Sequence, residues 1–121
     1  MKSNHTITHI EIPAPDLKKA VEFYAKLFNW QTEILPEGNY AYFRIGSTRS
    51  GGGFDVGLKP AKEKCGPQIT IDVEDISIKL SEIEKAGGKI ILEKTEIPGG
   101  HGFYACFCDP NGNYLQLHSR K

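Results

Sequence analysis

Residues 6–12, Thr-Ile-Thr-His-Ile-Glu-Ile, alternate in polarity and are rich in β-branched side chains, a period of two that predicts a strand. Pro13 and Pro15 end it, and Asp16 is placed to cap a helix. Leu17, Ala20, Val21, Tyr24, Leu27 and Phe28 then recur at helical spacing, and Asn29 closes the run. Strands are expected near 31–35 and over 40–45, separated by the turn Pro36-Glu37-Gly38-Asn39. Ser50-Gly51-Gly52-Gly53 reads as a flexible loop before a short strand near 54–58.

A polar segment, Lys59 to Pro67, separates this half from a second one. Residues 68–73 alternate as a strand. Asp75 caps a helix whose apolar side carries Ile76, Leu80, Ile83 and Ala86, and Gly87-Gly88 stops it. Strands follow at 89–93, 103–108 and 113–118, with turns at Pro98-Gly99-Gly100 and Asp109-Pro110-Asn111-Gly112.

The two halves repeat. A shift of 59 residues lays Ile10 on Ile69, Ile12 on Ile71, Asp16 on Asp75 and Val21 on Leu80. A shift of 64 lays Tyr40 on Tyr104 and Phe43 on Phe107. Each half is a β-α-β-β-β unit, module one about 6–58 and module two about 67–119. A sheet with a helix on one face needs its other face covered, so two curved modules sharing one cavity is the preferred architecture. An ordinary ferredoxin-like α+β sandwich is the alternative.

Composition narrows the function. The chain has 121 residues, the size of a single domain, with 39% hydrophobic and 25% charged residues. Lys+Arg and Asp+Glu are balanced at 15 each, which gives no bulk attraction to nucleic acid or to an acidic membrane. No stretch is apolar enough to span a bilayer, and the opening MKSNHTITHIEI has no apolar core of a leader peptide. Three cysteines argue against a disulfide framework and fit a cytoplasmic location.

Strand alternation selects the side chains that face away from the helices. Ile10 and Ile12 face the helix, which leaves His9 and Glu11 on the open face. Ala41, Phe43 and Ile45 likewise leave Tyr40, Tyr42 and Arg44. In module two the open face takes Gln68, Thr70 and Asp72, and on the last strand Tyr114, Gln116 and His118. The expected ligand-binding set is His9, Glu11, Tyr42, Arg44, Gln68, Gln116 and His118, with no catalytic residue assigned. Tyr42, Trp30, Phe54 and Phe103 are candidates to stack on a planar ligand, although core packing suits Trp30 better. His101, in a Gly-rich loop, is a candidate general acid or base, with a plain surface histidine the blander reading.

The opening His9 to Asp16-Leu17, continuing to Phe23-Tyr24 and Leu27-Phe28-Asn29-Trp30, and the closing Asp109-Pro110-Asn111-Gly112-Asn113 resemble the vicinal oxygen chelate superfamily of glyoxalase, bleomycin-resistance and extradiol-dioxygenase proteins. The resemblance covers nearly the whole chain. It implies an α+β fold of two βαβββ modules forming a concave mixed β-sheet, in one domain spanning 1–121. It also implies a homodimer, because modules from two chains often pair in that superfamily.

Metal-dependent members hold a divalent ion with four side chains. The resemblance implies His9 at the first ligand position, Gln68 where a His is usual, Gln116 where a Glu is usual, and a fourth position near Gly53. A neutral amide is a poor ligand for such metals, which leaves His9 as the only matching position and the tetrad broken. A set of His9, Glu11 and His118 is the remaining way to hold a metal. The expectation is therefore a glyoxalase-like protein that binds a small organic molecule without a cofactor. The alternative is a metal-dependent lyase, isomerase or dioxygenase.

Overall fold

The structure is a computed structural model, and it describes residues 5–48 and 50–121. Residues 1–4, part of the segment read for a leader peptide, lie outside the described residues, as does Arg49. The chain forms two compact units, residues 1–59 and 60–121. No helix is long and apolar enough to cross a membrane.

The first unit runs β1 (Ile10–Pro13), α1 (Leu17–Phe28), β2 (Gln31–Ile34), β3 (Tyr40–Arg44) and β4 (Gly51–Asp55). Its sheet has the order β1-β4-β3-β2, with β1 parallel to β4 and the other pairs antiparallel. Pro13 continues β1 rather than ending it, which an edge strand tolerates. The Asp16 carboxylate accepts from the Lys19 amide at 3.1 Å and starts α1, and Asn29 ends it in the left-handed region at φ 57°.

The main correction concerns the glycine run. Gly51-Gly52-Gly53 is no loop; it is most of β4, between β1 and β3. Gly52 has a physical reason to be glycine, since a Cβ there would lie 1.8 Å from the Ile10 carbonyl oxygen.

The unit 1 core is aromatic. Trp30 stacks on Tyr24 at 5.0 Å and on Phe43 at 4.6 Å between ring centroids, and Phe54 lies 5.3 Å from Tyr24. Phe54 and Trp30 are buried here and offer no ring to a ligand. Phe23 is buried as well, whereas Val21 and Phe28, placed on the apolar stripe from spacing, are only half-buried.

The second unit repeats the pattern with β5 (Thr70–Asp72), α2 (Ile76–Lys85), β6 (Lys89–Glu96), β7 (Phe103–Cys108) and β8 (Tyr114–Ser119). Its order, β5-β8-β7-β6, is that of the first sheet. Asp75 caps α2 through the Ile78 amide at 3.0 Å. Ile76, Leu80 and Ile83 are buried, as are Ala105, Phe107, Leu115 and Leu117 on the strands that α2 packs against. β6 is three residues longer than its expected end at 93 and is irregular, with register shifts after Ile90 and Leu92.

The turn before β8 is held by buried polar groups. Asp109 accepts from the Asn111 amide at 2.9 Å and from the Asn113 amide at 3.0 Å, and the Asn113 Nδ2 donates to its second oxygen at 2.9 Å. Asn113 Oδ1 accepts from the Ala61 amide at 2.8 Å, which ties the incoming linker to the turn.

Candidate functional site

In unit 1 the strand register lays out the face opposite α1. Glu11 stands beside Gly53, Gly53 beside Tyr42, and Tyr42 beside Glu33. In the next row Gly51 stands beside Arg44 and Arg44 beside Gln31; His9, one residue before Ile10, falls beside Gly51. Gly51 and Gly53 bring no side chains to this face. The middle strand is therefore the floor of a trough, with β1 and β3 as its walls. A cavity of about 440 Å³ at the Gly51 end of this floor is lined by His9, Tyr42 and Arg44 together with Gln31 and Glu33, within the size range of small-molecule sites.

The β1 wall is a tight hydrogen-bonded set. His9 Nε2 lies 2.7 Å from Glu11 Oε2, and the Tyr40 hydroxyl donates to the same oxygen at 2.5 Å and lies 3.2 Å from His9 Nε2. Burial raises the Glu11 pKa, but the hydrogen bonds from Tyr40 and His9 outweigh it and hold the carboxyl below its ordinary value. Tyr40 moves the other way: partial burial and the Glu11 carboxylate push its phenol well above the usual range. Tyr40 thus keeps its proton while Glu11 stays ionised.

Tyr40 is the residue that site selection from the sequence passed over. Alternation puts it on the open face, yet its role depends on Gly53. A Cβ at Gly53 would lie 1.8 Å from the Tyr40 hydroxyl oxygen, so the phenol fills the space a side chain there would enter. Across the sheet, the Arg44 guanidinium donates to Gln31 at 2.7 Å, and Tyr42 is half exposed with its ring edge-on to Tyr40 at 5.2 Å.

In unit 2 the corresponding positions are engaged differently. Thr70 stands beside Gln116 and Asp72 beside His118. Thr70 donates to Gln116 Oε1 at 3.0 Å, Gln116 Nε2 to the Tyr114 hydroxyl at 3.3 Å, and Tyr114 to Cys106 Sγ at 2.9 Å. Partial burial and the Cys106 contact push the Tyr114 phenol upward. Gln68 lies before β5, exposed, and donates to the Gly66 carbonyl at 3.4 Å. The hydrogen-bond partners of His9 within unit 1 are Glu11 and Tyr40.

His118 is no free terminal histidine. Nδ1 lies 2.7 Å from Asp72 Oδ1 and Nε2 2.9 Å from the His101 carbonyl oxygen. Both partners are acceptors, which favours the protonated ring, and the Asp72 bond followed by the His101 bond raises the His118 pKa. The His101 imidazole, a candidate acid or base from sequence, is exposed, and it is the backbone of this residue that is engaged.

The repeat identifies the fourth position of the implied metal tetrad. Glu11 pairs with Gly53 as its counterpart Thr70 pairs with Gln116, so Gly53 and Gln116 are equivalent. The four positions do not fit a divalent ion. Gly53 supplies no ligand, and Tyr40 takes its space. Gln116 is committed to Thr70 and Tyr114, and an amide is a weak ligand. The set of His9, Glu11 and His118 fares no better, because both His118 ring nitrogens face acceptors. Among the described residues of either unit, no group of three or more His, Cys, Asp or Glu is disposed to hold a metal.

Twin βαβββ units, each with an open sheet face opposite its helix, define a class of α+β proteins. The sequence model of the Glyoxalase/Bleomycin resistance protein/Dioxygenase superfamily matches residues 6–117, and the chain belongs to that superfamily. It is a glyoxalase-like member of unassigned specificity. It is 27% identical over 112 residues to a glyoxylase-like domain-containing protein of Didymella fabae, covering 88% of each chain. It is 28% identical over 131 residues to a probable lactoylglutathione lyase of Vibrio cholerae, covering 98% of this chain and 94% of that one. A genomically encoded fosfomycin resistance protein from Listeria monocytogenes shares the fold, with a TM-score of 0.75 at 20% identity over 98% of this chain and 94% of that one.

Proposed function

We propose that this protein binds a small organic molecule without a metal, and that the unit 1 trough is where it binds. His9, Glu11, Tyr42 and Arg44 contact the ligand there, and Gln68, Gln116 and His118 are the ligand-binding candidates on the corresponding face of module two. The two units act as one domain over residues 1–121, and a second copy of the chain pairs with it. The protein works in the cytoplasm on a small molecule and not on nucleic acid or a membrane.

The observation that carries this reading is the Tyr40 hydroxyl in the side-chain space of Gly53, hydrogen-bonded to Glu11 and close to His9. It turns a position suited to a ligating carboxylate into part of a hydrogen-bonding surface. The test pairs elemental analysis of protein purified without chelator with a thermal-shift screen of metals and small organic compounds. The expected result is substoichiometric metal and stabilisation by organic compounds alone. One equivalent of nickel, zinc, iron or manganese, lost in a His9→Ala variant, would sink the reading.

A second reading, a metal-dependent lyase or isomerase, draws on the 28% identity to the Vibrio cholerae protein. The same elemental analysis separates the two. Static light scattering at micromolar concentration tests the pairing of chains.

A further inference from the structure

The unit 1 cavity lies at one end of the sheet face, because the Tyr40 phenol fills the space over Gly53. Over Gly51 the face stays open, and Gln31, Glu33, Tyr42 and Arg44 line the cavity there. Arg44 decides its chemistry. The guanidinium donates to Gln31 Oε1 at 2.7 Å through one nitrogen, and no ion pair engages it among the described residues. A guanidinium has only donors, so the Gln31 amide must turn its oxygen to Arg44. That bond steadies the fork. It leaves the other Arg44 N–H groups and the Gln31 Nε2 as donors from adjacent strands lining one cavity.

The carboxylate in the same cavity limits the charge of a ligand. Glu33 follows Gln31 by two residues on the same strand face, beside Tyr42. Strand rise puts the two α-carbons about 7 Å apart. No ion pair joins Glu33 to Arg44, so the two charges stand separately in the lining. One guanidinium with one carboxylate nearby favours a ligand carrying one negative charge over a ligand carrying two. The half-exposed Tyr42 ring supplies apolar contact between them.

Unit 2 has no equivalent place. By register, Cys108 beside Tyr114 corresponds to Arg44 beside Gly51. A buried tyrosine stands where unit 1 has a glycine, and a thiol where it has a guanidinium.

Resting on the metal-free reading above, we infer that the unit 1 cavity takes an organic monocarboxylate, its carboxylate on Arg44 and Gln31 and its body against Tyr42. A planar fork of N–H donors matches a carboxylate and makes charge-assisted bonds with it. A neutral ligand leaves the guanidinium without a counter-charge, and a dianion is repelled by Glu33.

The test is chemical-shift mapping with benzoate, with benzamide as its neutral counterpart, and with phenyl phosphate, a dianion at about pH 8. Benzoate is expected to shift the Gly51 and Arg44 amides and to leave the Tyr114 and Cys108 amides in place. It is expected to bind about tenfold tighter than benzamide, the usual size of one charged contact. Arg44→Gln is expected to remove that advantage, and Gln31→Leu to reduce it. Benzoate no tighter than benzamide, an advantage that survives Arg44→Gln, or phenyl phosphate bound more tightly than benzoate overturns the class. If benzoate fails to titrate in the millimolar range while neutral or cationic compounds from the broader screen shift the same amides, the cavity stands as a ligand site and only the class falls. If no compound shifts them, both fall.

Discussion

The Tyr40 hydroxyl and the Gly53 α-carbon share one space: a Cβ on Gly53 would lie 1.8 Å from the phenol oxygen. Gly53→Ala must therefore displace the ring and break the Tyr40 bond to Glu11. The ring end can swing away, so the expected cost is about 1–2 kcal/mol and not an unfolded protein. Tyr40→Ala gives up the same bond and empties the space. In a double-mutant cycle by urea denaturation, Gly53→Ala should cost about 1 kcal/mol less in the Tyr40→Ala background. Costs that add to within about 0.3 kcal/mol would show that the two positions do not compete.

Phe54 is adjacent to that glycine in sequence and faces the other way. It is fully buried against Tyr24 and Phe43, so Phe54→Ala opens a core cavity and should cost about 3–5 kcal/mol. Phe103, partly exposed beneath the Lys94 ammonium at 4.5 Å, should cost well under half of that when changed to Ala. Similar losses at the two sites would contradict the assignment of Phe54 to the core.

The same pair shows what could be read from residues alone. The repeat, both helices with their Asp caps, and the split of faces on β1, β3 and β8 follow from period and spacing, and Ala41, Phe43, Leu115 and Leu117 are buried as alternation requires. The glycine run was misread because three glycines have loop composition. Its reason, close backbone approach to Ile10 inside the sheet, exists only in the folded register. Phe54 was misplaced with it, since its face is set by that register. Tyr40 was legible as a face and not as a function, because what makes it matter is an atom that Gly53 lacks. His118 was placed on the open face, but its partners, Asp72 and the His101 carbonyl, come from another strand and a loop.

His118 gives stability a pH dependence of known sign. Folding raises its pKa above the ordinary 6.5, so the folded protein holds the proton more tightly than the unfolded chain. This contribution is present in full below about pH 6.5 and is lost as pH climbs through the raised value. Denaturation free energies for the wild type and His118→Gln should converge as pH rises across that interval. A difference that grows with pH there would contradict the Asp72 and His101 bonds as the cause.

Asp109 and Asn113 carry the chain through the last turn with both side chains buried. Asp109→Ala removes the acceptor of three bonds at once, from the Asn111 amide, the Asn113 amide and the Asn113 side chain. Buried donors left unpaired are the expensive outcome, so the expected loss is about 3 kcal/mol. Asp109→Asn, which keeps one carbonyl oxygen, should lose less. Equal losses would mean that the turn depends on shape and not on the carboxylate.

Gln116 sits in a hydrogen-bond chain with one direction, from Thr70 through the amide to Tyr114 and on to Cys106. The amide accepts at one end and donates at the other. Gln116→Glu keeps the acceptor and removes the donor, and it brings a charge against a phenol already pushed upward by burial and the Cys106 contact. Either the Tyr114 hydroxyl turns from Cys106 to the new carboxylate, or its oxygen loses a donor. Both change a buried contact, and the expected loss is about 1–2 kcal/mol at neutral pH. The carboxylate would also accept from Thr70, and Gly53 and Gln68 still supply no ligating group. Nickel or manganese is therefore expected to leave the melting temperature of this variant unmoved. Stabilisation of Gln116→Glu alone by either metal would show that one carboxylate suffices, and that the amide at this position is what keeps the site metal-free.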